Sequence, residues 1–214
     1  MFNFHRAIDD NNFKLVEEIL QEIKQEQKTN LFNSKIYCNS YPLHYAAHYG
    51  YVEICKLLLD HGDDLERKER KEVNNFTPLA RAVRNGQEKT VEFLINRGAD
   101  LTVKIGYREE TLLHIAAKDR EINICKLLLK YGGRENVNAT NYHGCTPLHY
   151  STYLGFKDIS EILKDAGADF NLQDCSKKTP RMYEEEFQRR NDEFQKNREQ
   201  YREIDTFGRF LPRI

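Results

Sequence analysis

Residues 145–171 read CTPLHYSTYLGFKDISEILKDAGADFN. Two short amphipathic helices and their punctuation account for the stretch. Pro147 stands where the first turn of a helix tolerates it, because an N–H there would lack an intrahelical partner anyway. Leu148, Ser151 and Thr152 follow at helical spacing, and Gly155 closes the segment. From about Lys157 to Asp165 a second helix carries Ile159, Ile162 and Leu163, and Gly167 is placed to take the left-handed conformation that stops it. Neither helix is long enough to be stable alone in water. Such a stretch needs copies of itself to pack against.

The copies are present. Aligned on the threonine, the positions are Tyr41, Thr77, Thr111, Thr146 and Thr179, in steps of 36, 34, 35 and 33 residues. The phrases are YPLHYAAHYG, TPLARAVRNG, TLLHIAAKDR, TPLHYSTYLG and a worn TPRMYEEEF. Gly62, Gly98, Gly132 and Gly167 each come 21 residues later, whereas the links from glycine to the next threonine run 15, 13, 14 and 12 residues. Rigid units joined by variable loops are the mark of a stacked solenoid. The TPLH tetrad, the AA pair and the G-A-D turn occur together at this period, and the chain resembles the ankyrin repeat family over roughly residues 41–180, more weakly over 1–40. The resemblance implies an all-α solenoid of about five helix pairs with β-hairpin-like loops, the loops and first helices lining a concave face. It also implies that the tetrad histidines, His44, His114 and His149, hydrogen-bond backbone and tie neighbouring loops together. The expected units are 1–35, 36–71, 72–107, 108–141 and 142–174, within a repeat domain of 1–179.

Charged residues make up 31% of the 214 and apolar residues 39%, a balance suited to a thin, surface-rich stack. A net charge of −1 leaves no electrostatic footprint of a nucleic-acid binder. No run approaches the length of a membrane-spanning helix, and the opening MFNFHRAIDDNNF has no basic-then-apolar signal pattern. Five widely spaced cysteines argue against a disulfide framework and for a reducing compartment. The cytoplasm is expected, with the nucleus or a host cytosol as alternatives. Cys55 and Cys125 share one repeat position with Val91 and Ser160, which reads as packing between helices. No zinc-ligand spacing, Gly-rich phosphate loop or HExxH occurs, so no enzyme activity, cofactor or metal is expected.

Departures from the repeat carry their own expectations. Tyr41 replaces threonine, so the hydroxyl bond at that helix start is lost or remade. The charged loop 63–75, DDLERKERKEVNN, should protrude. Glu109 and Lys177 stand where a tight loop needs φ > 0, which predicts altered hairpins. The fourth unit lacks proline at Leu112 and glycine at Arg120, which predicts local distortion. The N-terminal helix should run on through QEIKQEQKT, residues 21–29. A charged C-terminal helix is expected over 180–206, followed by a tail, 207–214. Glu185–Arg189, Glu186–Arg190 and Asp192–Lys196 are potential i, i+4 pairs along it. Its aromatic stripe is Tyr183, Phe187, Phe194 and Tyr201; the first two should dock on the last unit, the others either dock or meet a partner.

Stack geometry puts the residues four, three and one before the threonine, and seven and eight after it, on the concave face. The candidate partner-binding residues from these positions are Tyr37, His48, Tyr49, Phe76, Arg84, Tyr107, Arg108, Lys118, Tyr142, His143, Tyr153 and Leu154. Aromatics and arginine anchor interfaces, and the repeat packs without a tyrosine row. Asn171, after Leu163 and Asp169, resembles the asparagines that a cytosolic oxygenase hydroxylates in ankyrin proteins, or else closes its turn. The expected function is a non-catalytic scaffold binding a protein partner through the concave face. One alternative is an ankyrin-type signalling inhibitor or host-targeting adaptor with the C-terminal helix as second contact. Another is a nucleotide- or RNA-binding ankyrin module. No membrane partner is expected, nucleic acid is disfavoured by the charge, and self-association through the C-terminal helix stays open.

Overall fold

The computed structural model describes residues 2–35, 40–69, 75–133 and 135–208. Three helices open the chain: α1 (Phe2–Asp9), α2 (Phe13–Glu22) and α3 (Gln25–Asn33). Four helix pairs follow: α4 (Pro42–Tyr49) with α5 (Val52–Asp60), α6 (Pro78–Arg84) with α7 (Glu88–Asn96), α8 (Leu112–Lys118) with α9 (Ile122–Leu128), and α10 (Pro147–Leu154) with α11 (Lys157–Asp165). A two-residue antiparallel ladder, β1 (Lys104–Ile105) with β2 (Glu110–Thr111), braces the hairpin before α8. The long α12 (Pro180–Gly208) ends the described chain. First helices α4, α6, α8 and α10 pack in a row, and second helices α5, α7, α9 and α11 form a layer behind them. This is an all-α repeat solenoid.

One core runs the length of the stack. Leu43, Leu79, Leu113 and Leu148 repeat in it, as do Ile54, Ile124 and Ile159. Cys55, Val91, Cys125 and Ser160 are all buried at their shared position. Ser160 is polar because its neighbour is too: its hydroxyl donates to Ser151 Oγ at 2.9 Å, where the other units have Ala46, Ala82 and Ala116.

The tetrad histidines tie successive hairpins. Nε2 donates to the carbonyl of Phe76 from His44 (2.9 Å), of Cys145 from His114 (2.8 Å) and of Lys178 from His149 (3.2 Å). Since a carbonyl can only accept, the proton sits on Nε2 and Nδ1 must accept. Thr111 and Thr146 supply that donor through their backbone N–H at 3.2 and 2.9 Å. With Tyr41 in place of threonine, α4 has no side-chain cap and His44 Nδ1 is buried without a partner. The bond is lost rather than remade.

Several expectations need correction. The N-terminal helix does not run on: Ile23 is extended and α3 starts afresh, Gln27 Oε1 accepting from Lys24 N at 3.2 Å. A straight continuation would carry Leu31 about 13 Å beyond Glu22, whereas the break buries Leu31 and Phe32. Of the loop 63–75, residues 70–74 lie outside the described residues, and the segment 63–69 is folded in rather than protruding. Asp63 and Glu69 are buried in it, and Arg67 lies over the Tyr41 ring at 5.1 Å. Asp63 occupies the position of Ala99 and Ala168; burial lifts its carboxyl to about 7, and Oδ2 has no partner. The hairpins at Glu109 and Lys177 keep the left-handed turn, with φ of 52° and 59°. Arg120 does the same at 59° and is held by Asp158, its Nη2 at 2.9 Å. The distortion in that region comes later, as a π-helical turn over Leu129–Gly133.

Helix α12 starts as a further first helix would. Thr179 Oγ1 accepts from Met182 N at 3.3 Å, and the first turns of α12 lie against α10. Tyr183 OH donates to Asp174 Oδ2 at 2.7 Å, and any Cβ on Gly155 would overlap the Phe187 ring. Both aromatics dock. Phe194 stands 62% exposed; the side chain of Tyr201 and the tail beyond residue 208 lie outside the described residues. None of the three expected i, i+4 ion pairs forms among the described residues: Arg189 Nε turns to the backbone carbonyl of Glu185 at 3.5 Å. Glu186 instead holds Lys178 at 2.7 Å, and Asp192 accepts from Gln188 at 2.8 Å.

Candidate functional site: the hairpin tips and first-helix ends

The hairpins before α8 and α10 end in residues that the stack does not need. Tyr107, Arg108, Tyr142 and His143 are exposed, with Tyr107 at 63% and Tyr142 at 70%. The two tips touch through backbone: Tyr142 N donates to Arg108 O at 2.8 Å. Arg108 Nε reaches the Tyr107 hydroxyl at 2.9 Å, and the ring planes of Tyr142 and His143 are nearly perpendicular at 5.5 Å.

Behind the first tip, Arg84 from the end of α6, Lys118 from the end of α8, and Tyr107 and Arg108 line one cavity of about 200 Å³. Phe76 and Ile105 form its floor with Glu110. Phe76 is a correction to the expected surface: at 2% exposed it is core, with the Arg81 and Arg84 guanidinia over its ring at 4.6 and 5.3 Å. Its carbonyl is also engaged, accepting from Glu69 N at 2.9 Å.

Glu110 is the buried hub of this site. Its Oε1 accepts from Tyr150 OH at 2.7 Å and its Oε2 from Lys118 Nζ at 3.0 Å. Burial alone would raise its pKa; Tyr150 and Lys118 outweigh burial and hold the carboxyl below its ordinary value. Asn141 anchors the second tip, giving Nδ2 to Tyr150 OH at 3.0 Å while Oδ1 accepts from His143 N and Cys145 N.

The remaining candidates are spread along the stack. His48 is half-buried within reach of Arg81 and Glu69, and burial lowers its pKa. Tyr49 is exposed but sits among aromatic rings of its own unit, stacked on Tyr51 at 5.7 Å and near Tyr45 at 4.7 Å. Tyr153 is exposed yet shared with α12: Tyr183 meets it at 5.6 Å and Arg190 lies over it at 6.0 Å. Leu154 is half-buried. Tyr37 lies outside the described residues. Asn171 is exposed, and its turn is closed by other side chains. Asp169 Oδ1 accepts from Asn171 N at 2.8 Å, and Asn138 of the preceding unit accepts from Asp169 N at 2.7 Å.

A second pattern escaped the sequence reading. The residue four after the threonine position reaches a carboxylate four times: Tyr45 to Asp9, Arg81 to Glu69, Tyr150 to Glu110 and Tyr183 to Asp174. The signal was the polar residue at that position; the acceptor comes from a different repeat position each time.

Among the described residues no group of His, Cys, Asp and Glu could hold a metal ion, and no helix is long and apolar enough to cross a membrane.

The B-cell lymphoma 3 protein homolog of Mus musculus is 36% identical over 115 residues, covering 52% of this chain and 25% of that protein. The putative ankyrin repeat protein FPV031 of Fowlpox virus is 34% identical over 125 residues, 58% of this chain and 36% of that protein. The NF-kappa-B inhibitor alpha of Sus scrofa is 33% identical over 102 residues, 46% of this chain and 32% of that protein. The chain thus matches only a quarter to about a third of the length of these relatives. The family model for ankyrin repeats in 3 copies matches residues 4–105 and 103–174. With both spans matched and the helix pairs stacked in register, the chain belongs to the ankyrin repeat family.

Proposed function

We propose that this chain is a non-catalytic interaction module that binds a partner protein across its hairpin tips and first-helix ends. The observation that carries the reading is the convergence of Arg84, Tyr107, Arg108 and Lys118 on one cavity beside the exposed Tyr142. Aromatic and arginine side chains without a role in the core are the usual anchors of interfaces. The buried thiols and imidazoles are poorly suited to chemistry. Burial pushes the Cys125 thiol up to about 12 and the Cys145 thiol to about 11, where little thiolate exists at neutral pH. Burial likewise lowers His44 and His114 to about 4, and their Nε2 protons are engaged by carbonyls.

The name of one relative, NF-kappa-B inhibitor alpha, points to a first partner class to try: transcription-factor subunits of the NF-kappa-B type. The test replaces Tyr107, Arg108, Tyr142 and Tyr153 by alanine together and measures partner affinity beside thermal unfolding. The reading predicts a loss of at least a hundredfold in affinity with the fold intact; unchanged affinity rejects this face. A second reading adds α12 as a further contact, favoured by the exposure of Phe194. It predicts that Phe194→Ala weakens the same complex.

A further inference from the structure

Resting on that reading, we infer that the cavity between Tyr107 and Lys118 receives a carboxylate side chain from an extended, acidic and aromatic segment of the partner. Among the described residues three cations face this cavity, Arg84, Arg108 and Lys118, and only Glu110 faces it with the opposite charge. Glu110 is already committed, to Lys118 at 3.0 Å and to Tyr150 at 2.7 Å. Among the described residues neither Arg84 nor Arg108 forms an ion pair. Asp119, beside Lys118, lies within electrostatic range of Arg84 without meeting it. Arg84 therefore retains its planar fork of N–H donors, and Arg108, with Nε given to Tyr107, retains its two Nη groups; this is the geometry that recognises a carboxylate through paired hydrogen bonds.

Size and setting narrow the occupant. About 200 Å³ is below the range of pockets that enclose drug-sized ligands but takes a single side chain. Arg84 is braced from beneath by the Phe76 ring at 5.3 Å, so its guanidinium is oriented before anything binds. The exposed rings of Tyr107 and Tyr142 stand on neighbouring tips joined by the Tyr142 N–Arg108 O bond. They offer stacking surface to residues that flank the acid. A basic socket with aromatic shoulders complements an acidic side chain between aromatic neighbours.

The test uses the full chain and two fluorescein-labelled peptides of alternating residues, one of glutamate and tyrosine, the other of glutamine and tyrosine. The glutamate peptide should bind at least tenfold tighter at low salt, and the difference should shrink as salt is raised. Arg84→Gln with Arg108→Gln should abolish the difference while the unfolding temperature stays put, and Arg84→Lys should keep part of it. Equal binding of the two peptides, or discrimination that survives the double substitution, overturns the inference. So does displacement of the glutamate peptide by millimolar inorganic phosphate, which would mark a small-anion site. The partner complex separates the two readings. If the fourfold alanine variant loses the partner but Arg84→Gln binds it unchanged, the face stands and the acid socket falls.

Discussion

His44 shows how one substitution propagates. Its neighbour Tyr41 exchanges a threonine cap for a ring stacked under Arg67, and leaves Nδ1 unpartnered in the core. Restoring the cap with Tyr41→Thr should add about 1 kcal/mol of stability, read as a raised urea midpoint at unchanged slope. Acid provides a second readout. His44 and His114 titrate at about 4 in the fold against an ordinary 6.5. The unfolded chain therefore takes up protons first; their contribution is complete above pH 6.5 and is lost as the pH falls towards 4. Asp63 works in the opposite sense. Its folded value of about 7 lies above an ordinary 3.8, so its contribution is present at low pH and lost as the pH rises through 7. Asp63→Asn removes that opposing proton, and stability between pH 6.5 and 4 should then fall more steeply, by up to about 1.4 kcal/mol per pH unit. Urea titrations across that window would detect it. The histidine ties were legible in the TPLH repeat. The empty Nδ1 was half legible, since a tyrosine at a cap position says that a bond is missing but not which atom goes without. Asp63 was not legible at all, because the burial of a carboxyl beside a charged loop depends on how Arg67 folds back.

At the scale of the element, α12 is two things in sequence. Its first turns occupy the place of another unit's first helix, fixed by Thr179, by the Tyr183–Asp174 bond and by Phe187 over Gly155. Its remainder leaves the stack. Gly155 has φ of 73° and the Phe187 ring above it, so Gly155→Ala meets both backbone strain and a clash. That variant should lose about 2 kcal/mol or more, and Phe187→Ala should recover part of the loss; a double-mutant cycle by chemical unfolding tests the coupling. The start, polarity and docking stripe of this helix were readable from residues 179–187, where the repeat phrase persists. The ion pairing was not, because Lys178 and Lys164 of the preceding segments capture Glu186 and Glu184. The same limit applies to the hairpins at Glu109 and Lys177. Residue type argued against a left-handed turn, but neighbouring hydrogen bonds such as Lys178 N to Asp174 Oδ1, at 3.0 Å, impose it.

At the scale of the molecule, stability is distributed unit by unit, so the two ends of the chain can be treated separately. Removing residues 191–214 should leave the unfolding temperature nearly unchanged. Removing 180–214 should lower it clearly, since Tyr183 and Phe187 leave with it and the end of α10 is uncovered. Differential scanning calorimetry of both truncations distinguishes a terminal brace from an appendage. The architecture was legible because a 21-residue spacing repeated four times leaves few alternatives. The candidate surface was legible in part: register alone predicts which tips point outward, as Tyr107 and Tyr142 do. It failed at Phe76, whose ring is buried beneath Arg81 and Arg84, and it could not see that Glu110 organises the cavity from below.

The carboxylate seams bear on how such a chain can be rebuilt. Tyr45, Arg81, Tyr150 and Tyr183 share one repeat position, yet Asp9, Glu69, Glu110 and Asp174 do not. Four of the junctions are keyed to their own neighbours, whereas the fourth unit has Ile115 at that position and carries no such key. Units shuffled, duplicated or averaged into a consensus would keep every leucine and every capping threonine and still arrive at junctions with mismatched keys. The order of the repeats is thus inscribed in their polar contacts, while the apolar core is indifferent to it.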